Sequence, residues 1–493
     1  MQSSRRRRRH AHLAACLALA GCASGGSEGG PGLEGVPLPP GAPVAIAIAA
    51  VDPLEPFPSE EFEARRERLM AALDTGVAVL LGETAPTSHA RFLQDHNFYY
   101  LTGIEAPGAA LVLDATRGVT HLFLPERSEE QEQWEGDLLE PGQQAGEVTG
   151  IEDVRPRAEF DAFLRDRLGQ AELVWLQHSP PEPPPTSPGD AGAAWAAAAA
   201  DPWLDAVHRN ARLVELVAER FPDVTIRDLS PPLFRARWVK SGLEQEYMRR
   251  AGLLAALGAN EAIRTTRPGY FEFELAAAAR FVQDVMGQQE EAFAPILASG
   301  PNINTIHYTE LDRRLRADDL VMLDYGADYG YYTSDITRTW AADGQFTDEQ
   351  APYYETVVMV RDSVIEAMRP GVTVDELLDI AQRVVRARGH DAVAWPTTRE
   401  YIGHWVGMSV HDPAPEGAHL IPLEAGVVFN VEPIIDMPDR AWHFRLEDTV
   451  LITEDGHEVL TRMSPVAQED LVRLYLETGV TEWWKGTEVP VRR

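Results

Sequence analysis

Residues 320–340 read LVMLDYGADYGYYTSDITRTW, two apolar, aromatic and β-branched runs around ADYGY. That pattern predicts a β-hairpin, with Gly330 supplying the positive φ that tight turns need. If the turn centres on Tyr329 and Gly330, antiparallel partners have numbers summing to 659, and Asp324 and Asp335 meet that sum. Their carboxylates would then face each other across the ladder with Cβ atoms roughly 5 Å apart, which is destabilising for like charges. A bound cation, a shared proton or a nearby arginine would relieve the repulsion. Alternatively, each aspartate is only a solvated residue flanking a turn. The remainder of the chain has to decide.

A chain of 493 residues can bury a full core and build two or more domains. It opens MQSSRRRRRHAHLAACLALAGCASGG, where five arginines precede an apolar run too short to span a bilayer, a secretory signal. The tetrad Leu19-Ala20-Gly21-Cys22 resembles the lipobox of bacterial lipoproteins, implying cleavage before Cys22 and a lipid anchor on its sulfur. The expected product is an exported, membrane-anchored lipoprotein, periplasmic or on the cell surface. An unmodified Cys22 thiol is the alternative. Cys16 leaves with the signal, so disulfides and cysteine-based metal sites or nucleophiles are excluded. Lys plus Arg number 44 against 77 Asp plus Glu, a formal charge of −33. Such a surface repels nucleic acid.

Residues 1–21 are therefore read as signal and 22–50 as a flexible Gly/Pro/Ala/Ser tether. A first domain, 51–231, alternates helical segments with the apolar runs VAVLLGE, AALVLD, THLFLP and LVWLQH, which predicts an α/β fold. The Pro/Ala-rich stretch near 179–202 reads as a surface insertion without chemistry. A second domain, 232–475, starts its first helix at a capping box, Ser241 with Glu244, with Leu243, Tyr247, Leu254 and Leu257 at roughly helical spacing. Thr347 with Gln350 and Thr373 with Glu376 mark two further helix starts, and 476–493 is a tail. AIRTTRPGYFEFELAAAARFV from Ala262 and VIEAMRPGVTVDELLDIAQRV from Val364 align without gaps, including Arg-Pro-Gly at 267–269 and 369–371. An internal duplication of this kind predicts two similar halves about a pseudo-twofold, with a cleft at their seam.

Candidate ligands occur in both halves. The first offers Asp324 and Asp335; the second offers His404 and His411 in EYIGHWVGMSVHD, Glu432 in GVVFNVEPI and Glu447 in HFRLEDTVLIT. Both glutamates sit in or at the end of apolar runs, where an unpaired carboxylate is costly or takes up a proton. Four carboxylates and one imidazole supply about the charge that neutralises two divalent ions, and this oxygen-rich set suits Mn²⁺, Fe²⁺ or Co²⁺ better than a structural zinc.

The order Asp, Asp eleven positions on, His, Glu, Glu resembles the pita-bread metallopeptidases, the family of methionine aminopeptidase, prolidase and aminopeptidase P. ILASGPNINTIHYTE, DYG with SDITRT, HWVGMSVHD and RLEDTVLIT resemble aminopeptidase P and prolidase, and EFEARRERL with NFYYLTGIEAPGAALVL is similar to the creatinase-like amino-terminal domain of aminopeptidase P. The resemblance implies an α/β creatinase-like domain followed by an α+β pita-bread catalytic domain with internal duplication. It implies two divalent ions, Mn²⁺ first with Co²⁺, Fe²⁺ or Zn²⁺ compatible, held by Asp324, Asp335, His404, Glu432 and Glu447. Asp335 and Glu447 would bridge the ions, and a hydroxide held between them would attack a peptide whose second residue is proline. Glu432 resembles the general base, and His307 and His411 the histidines that bond the substrate and the oxyanion. Arg445 is expected on the same strand face as Glu447, as an orienting cation. Family members also pair subunits, so a homo-dimer or homo-tetramer is implied. Two departures stand out: Glu400 occupies the place of a usual histidine, and Ile434 follows Glu432-Pro433 where glycine is usual. The alternatives are a prolidase confined to Xaa-Pro dipeptides and a metal-poor peptide-binding lipoprotein.

Overall fold

The computed structural model describes residues 53–86, 90–136, 139–394 and 401–482. The signal, Cys22, the tether and Glu400 lie outside the described residues.

The first domain carries a six-stranded mixed sheet of β1 (Val77–Leu81), β2 (Ala110–Asp114), β3 (Val119–Leu124), β4 (Asp153–Pro156), β5 (Leu173–Leu176) and β6 (Thr225–Asp228), in the order β4-β3-β2-β1-β5-β6. β1/β2 and β2/β3 are antiparallel, and the other pairings are parallel. The four apolar runs became β1, β2, β3 and β5. The edge strands β4 and β6, DVRP and TIRD, gave no apolar signal because an edge needs little burial. Helix Ser230–Trp238 crosses the boundary expected after Pro231 and buries Leu233 and Trp238, which moves the seam between domains to residues 239–241. The insertion is not a detached surface feature either. Its alanine run forms helix Pro188–Ala200, but Glu182 just before it is wholly buried.

The second domain shows the duplication in its backbone. Helices Gly242–Thr265 and Ala351–Ala367 end 102 positions apart, and helices Glu272–Val285 and Val374–Arg388 start 102 positions apart. Between them Gly269 and Gly371 hold φ of +96° and +93°, and each donates its N–H to a matching carbonyl, of Leu315 and Leu423. Glu274 and Glu376 accept the N–H of Phe271 and Thr373, the same glutamate cap in both copies, and only in the second is it reciprocal, Thr373 Oγ1 accepting the Glu376 N–H. The Ser241–Glu244 box is present as read, with Ser241 N–H on Glu244 at 2.8 Å. Tyr247, Leu254 and Leu257 are buried, whereas Leu243, in the first turn, faces solvent. At the carboxyl end, Arg264 and Arg267 hold Glu477 and Glu482, so the folded body runs past the boundary expected at 475.

The main sheet of the second domain runs β13-β16-β12-β9-β8, from β8 (Ile296–Ser299), β9 (Leu320–Asp324), β12 (Ile336–Ala341), β13 (Val428–Val431) and β16 (Glu447–Ile452), with β17 (His457–Val459) on β16. β10 (Ala327–Tyr329) and β11 (Tyr332–Thr333) form a small sheet with β7 (Glu290–Glu291), and β14 (Ile434–Met437) pairs with β15 (Trp442–Arg445). β12 and β16, one from each half, meet antiparallel at the seam.

Candidate metal centre

The two halves deliver carboxylates from matching places. Asp324 ends β9 and Glu432 follows β13, 108 positions on, the same offset that separates Leu315 from Leu423. Asp335 directly precedes β12 and Glu447 opens β16, so these two meet at the seam. His404 comes from a segment laid along β13, its carbonyl accepting the Asn430 N–H at 2.7 Å.

The hairpin exists, with a register different from the expected one. Tyr329 pairs with Tyr332 and Thr337 with Asp324, so partners sum to 661. The turn is centred on Gly330 and Tyr331, at φ +62° and +70°. Tyr331 is held in this left-handed conformation by tertiary contacts: it stacks on Tyr99 at 3.7 Å, and its hydroxyl donates to Glu105 and accepts the Gln94 N–H. Moving a turn by one residue changes the sum by two and leaves the faces unchanged. Asp324 and Asp335 are therefore diagonal neighbours on one face rather than direct partners.

Asp335, His404 and Glu447 are buried and each offers a ligand atom, all within 4.8 Å of one another. His404 Nε2 lies 3.1 Å from Glu447 Oε1 and 3.6 Å from Asp335 Oδ2. Arg445 joins the other two acids, donating to Asp324 Oδ2 and, at 3.2 Å, to Glu432 Oε1. The crowding shows in the ionisation. Burial, then Glu447 and Asp324, hold the Asp335 carboxyl well above the usual range. Burial also raises Asp324, against the pull of Arg445, and burial followed by Glu447 pushes Glu432 up to about 8. Glu447 moves the other way: burial opposes its charge, but the hydrogen bond and charge of His404 outweigh it, and His404 is raised in return.

This donor set fits divalent cations. Three buried carboxylates and the part-buried Glu432 face one buried guanidinium, and Asp324 Oδ1 and Asp335 Oδ1 are buried without a hydrogen-bond partner. Such oxygens call for a cation.

Arg445 departs from its expected place. It ends β15, which pairs with β14, while Glu447 opens β16 in the main sheet, so the chain changes sheets at Leu446. Thr339 grips the Arg445 backbone at both its N–H and its carbonyl. His411 sets its ring against His404, centroids 4.3 Å apart at 74°, and remains open to solvent. His307 is exposed too, close enough that its charge is felt at Asp324 and His411. Three supporting residues escaped the sequence reading. Thr337 Oγ1 donates to Glu447 Oε2 at 2.7 Å, Asn430 Nδ2 to Glu447 Oε1 at 2.8 Å, and Thr449 Oγ1 accepts the Asp335 N–H. The alternation of strands could have found all three, since Thr337 lies two residues after Asp335, Asn430 two before Glu432 and Thr449 two after Glu447.

A buried carboxylate-and-imidazole cluster at the seam of a duplicated domain defines a metal-dependent hydrolase. Residues 246–454 match the model of metallopeptidase family M24, and residues 62–175 that of the aminopeptidase P N-terminal domain. The Xaa-Pro aminopeptidase of Haemophilus influenzae is 30% identical over 85% of this chain and 97% of its own, and Xaa-Pro aminopeptidase 3 of Mus musculus 27% over 85% and 86%. Among solved structures, aminopeptidase P from E. coli with the inhibitor Pro-Leu superposes at TM-score 0.72 and 25% identity, covering 85% of this chain and 99% of that one. Proline aminopeptidase P II from Yersinia pestis gives 0.71 at 26%, with the same coverage. The chain belongs to metallopeptidase family M24, with the two-domain architecture of aminopeptidase P, and is a metal-dependent exopeptidase. The metal-poor binding lipoprotein has no support.

Proposed function

We propose that the enzyme releases the amino-terminal residue from peptides with proline in second place, using two divalent ions of which Mn²⁺ is the first choice. The observation that carries the reading is the convergence of Asp324, Asp335, His404, Glu432 and Glu447 from both halves, with two carboxylate oxygens left unpartnered. These five side chains would hold the ions. When bound, a pair of divalent cations supplies Lewis-acid polarisation and a water acidic enough to act as a nucleophile at neutral pH.

The chain's own residues do the rest. Glu432, with its affinity for a proton raised by burial, is suited to move a proton to the leaving imide nitrogen. His411 and His307, at the solvent side of the cluster, are placed to hydrogen-bond the substrate and the developing oxyanion. Thr337 and Asn430 fix both oxygens of Glu447, and Arg445 orients Asp324 and Glu432 while its charge opposes the rise in their proton affinity. Hydrolysis of an Xaa-Pro-Xaa tripeptide, with and without a chelator, tests the reading. Chelator-sensitive release of the first residue is expected, and cleavage of Xaa-Pro dipeptides alone would replace it with a prolidase. Residues 1–22 further support export and lipid anchoring at Cys22, which Cys22→Ser would abolish, releasing the enzyme from the membrane fraction. Assembly as a dimer or tetramer is proposed on family resemblance, and light scattering decides it.

A further inference from the structure

The Pro/Ala-rich insertion reaches the catalytic loop through buried charge. Glu182, in SPPEPPPTS (residues 179–187), has its backbone fixed on both sides: its N–H donates to Asp95 Oδ2 at 2.8 Å, and its carbonyl accepts the His96 N–H at 3.1 Å. Its carboxylate accepts Asn97 Nδ2 at 2.9 Å and Arg237 Nη1 at 2.8 Å. Arg237, equally buried, spends its other terminal nitrogen on Asp412 Oδ1 at 2.6 Å, and Lys240 holds Asp412 Oδ2 at 3.2 Å. Two cations and two carboxylates thus bridge the insertion, the interdomain helix and the residue that follows His411.

The loop between His404 and Asp412 depends on that anchor. Asp412 closes it internally by accepting the Ser409 N–H and donating its own N–H to the Trp405 carbonyl. Gly407 packs so tightly under the Asp412 carboxylate that a Cβ there would stand 2.2 Å from Oδ2. On its far side the loop is tied to the hairpin, the Gly407 carbonyl accepting both the N–H and the hydroxyl of Thr333. With both ends pinned, His411 is held edge-on to His404. Helix Pro188–Ala200 starts just after Glu182, and its first turn brings Asp190 close enough for its charge to be felt at His411.

We propose that Glu182 is a positioning residue of the peptidase: through Arg237 and Asp412 it fixes the loop that sets His411 against the metal centre. The proposal rests on the reading of His411 as a substrate-contacting group, and its test separates the two. Glu182→Gln keeps the shape and removes the charge that balances Arg237. Its expected effects are an approximately ten-fold loss in kcat/KM on an Xaa-Pro-Xaa tripeptide, unchanged metal content, and faster hydrogen exchange at amides 405–412. In a His411→Ala background the Glu182→Gln change should add no further loss. Losses that multiply, or unaltered exchange at 405–412, overturn the proposal. A wild-type chain that cleaves no Xaa-Pro peptide sinks the functional reading instead, and the exchange experiment still decides the coupling. Should Glu182→Gln fail to fold, Glu182→Asp serves, because the shortened side chain keeps its charge but cannot reach Asn97 and Arg237 together.

Discussion

Asp335 is buried beside Glu447, Asp324 and Glu432, so its proton is held far more tightly in the folded chain than in the unfolded one. Glu432, pushed up to about 8, behaves alike. A carboxyl group raised in this way keeps its proton in the folded state after the unfolded state has lost it, so stability falls as pH rises between the two values. Glu447, held below its usual value, has the opposite sign, and its contribution is lost as pH falls. The raised acids outnumber it. The chelated protein should therefore lose stability from about pH 5 to pH 8, while binding of Mn²⁺ displaces their protons and reverses the trend. Titration calorimetry at pH 7 in buffers of different ionisation enthalpy should show at least one proton released per chain, and none released would refute the assignment. Asp335→Asn separates the two roles of the residue. It should raise the Tm of the chelated protein by a few degrees while lowering Mn²⁺ affinity and activity at least a hundred-fold. Thr337→Val, which removes only the donor to Glu447 Oε2, should cost roughly ten-fold in metal affinity or kcat.

The hairpin of β9 to β12 shows what a local pattern can and cannot carry. Its existence, its aspartates and their shared face were legible in the alternation of residues 320–340, because face parity survives any one-residue shift of the turn. The register was not. It depends on Tyr331 accepting a left-handed backbone in exchange for contacts with Tyr99, Glu105 and Gln94, residues more than 220 positions away in another domain. The five candidate ligands were likewise readable because each carboxylate breaks an apolar run, whereas Glu182 and Arg237 sit in segments whose sequence looks like a solvated linker and an ordinary polar helix. Gly326 is the sharpest joint of this element. A Cβ there would meet the Ser334 carbonyl at 2.2 Å, at the point where the ribbon passes from the main sheet to the small one between the two aspartates. Gly326→Ala should destabilise the protein by about 1–3 kcal/mol and weaken Mn²⁺ binding, both measurable by denaturant melts with and without metal. An unchanged midpoint would mean that the strands part there at little cost.

The two domains are joined by the back of the same hairpin. Glu244, recognisable in the sequence as the second half of a capping box, also accepts the Tyr332 hydroxyl at 2.8 Å and lies 3.6 Å from Arg65 of the first domain. Arg65 is buried, donates to the Tyr100 carbonyl, and sits over the rings of Phe57, Phe62 and Tyr100. Tyr247 and Tyr329 add bonds to the backbone of Glu55 and Leu54. With so much of its aromatic surface and one buried charge pair shared, neither domain presents a finished core without the other. Arg65→Ala leaves Glu244 buried without its cation and removes the guanidinium from three rings, a loss of about 3–5 kcal/mol if the pair behaves as buried pairs do. Arg65→Lys should recover only part of it, since an ammonium cannot keep the planar contacts. Because the joint includes the strand turn that positions Asp324 and Asp335, the whole molecule should respond as one unit. Calorimetry of the Arg65→Ala protein is expected to show a single transition moved to lower temperature. A separate early peak for the first domain, with the metal-binding domain melting at its original temperature, would show that the hairpin contacts do not couple the two.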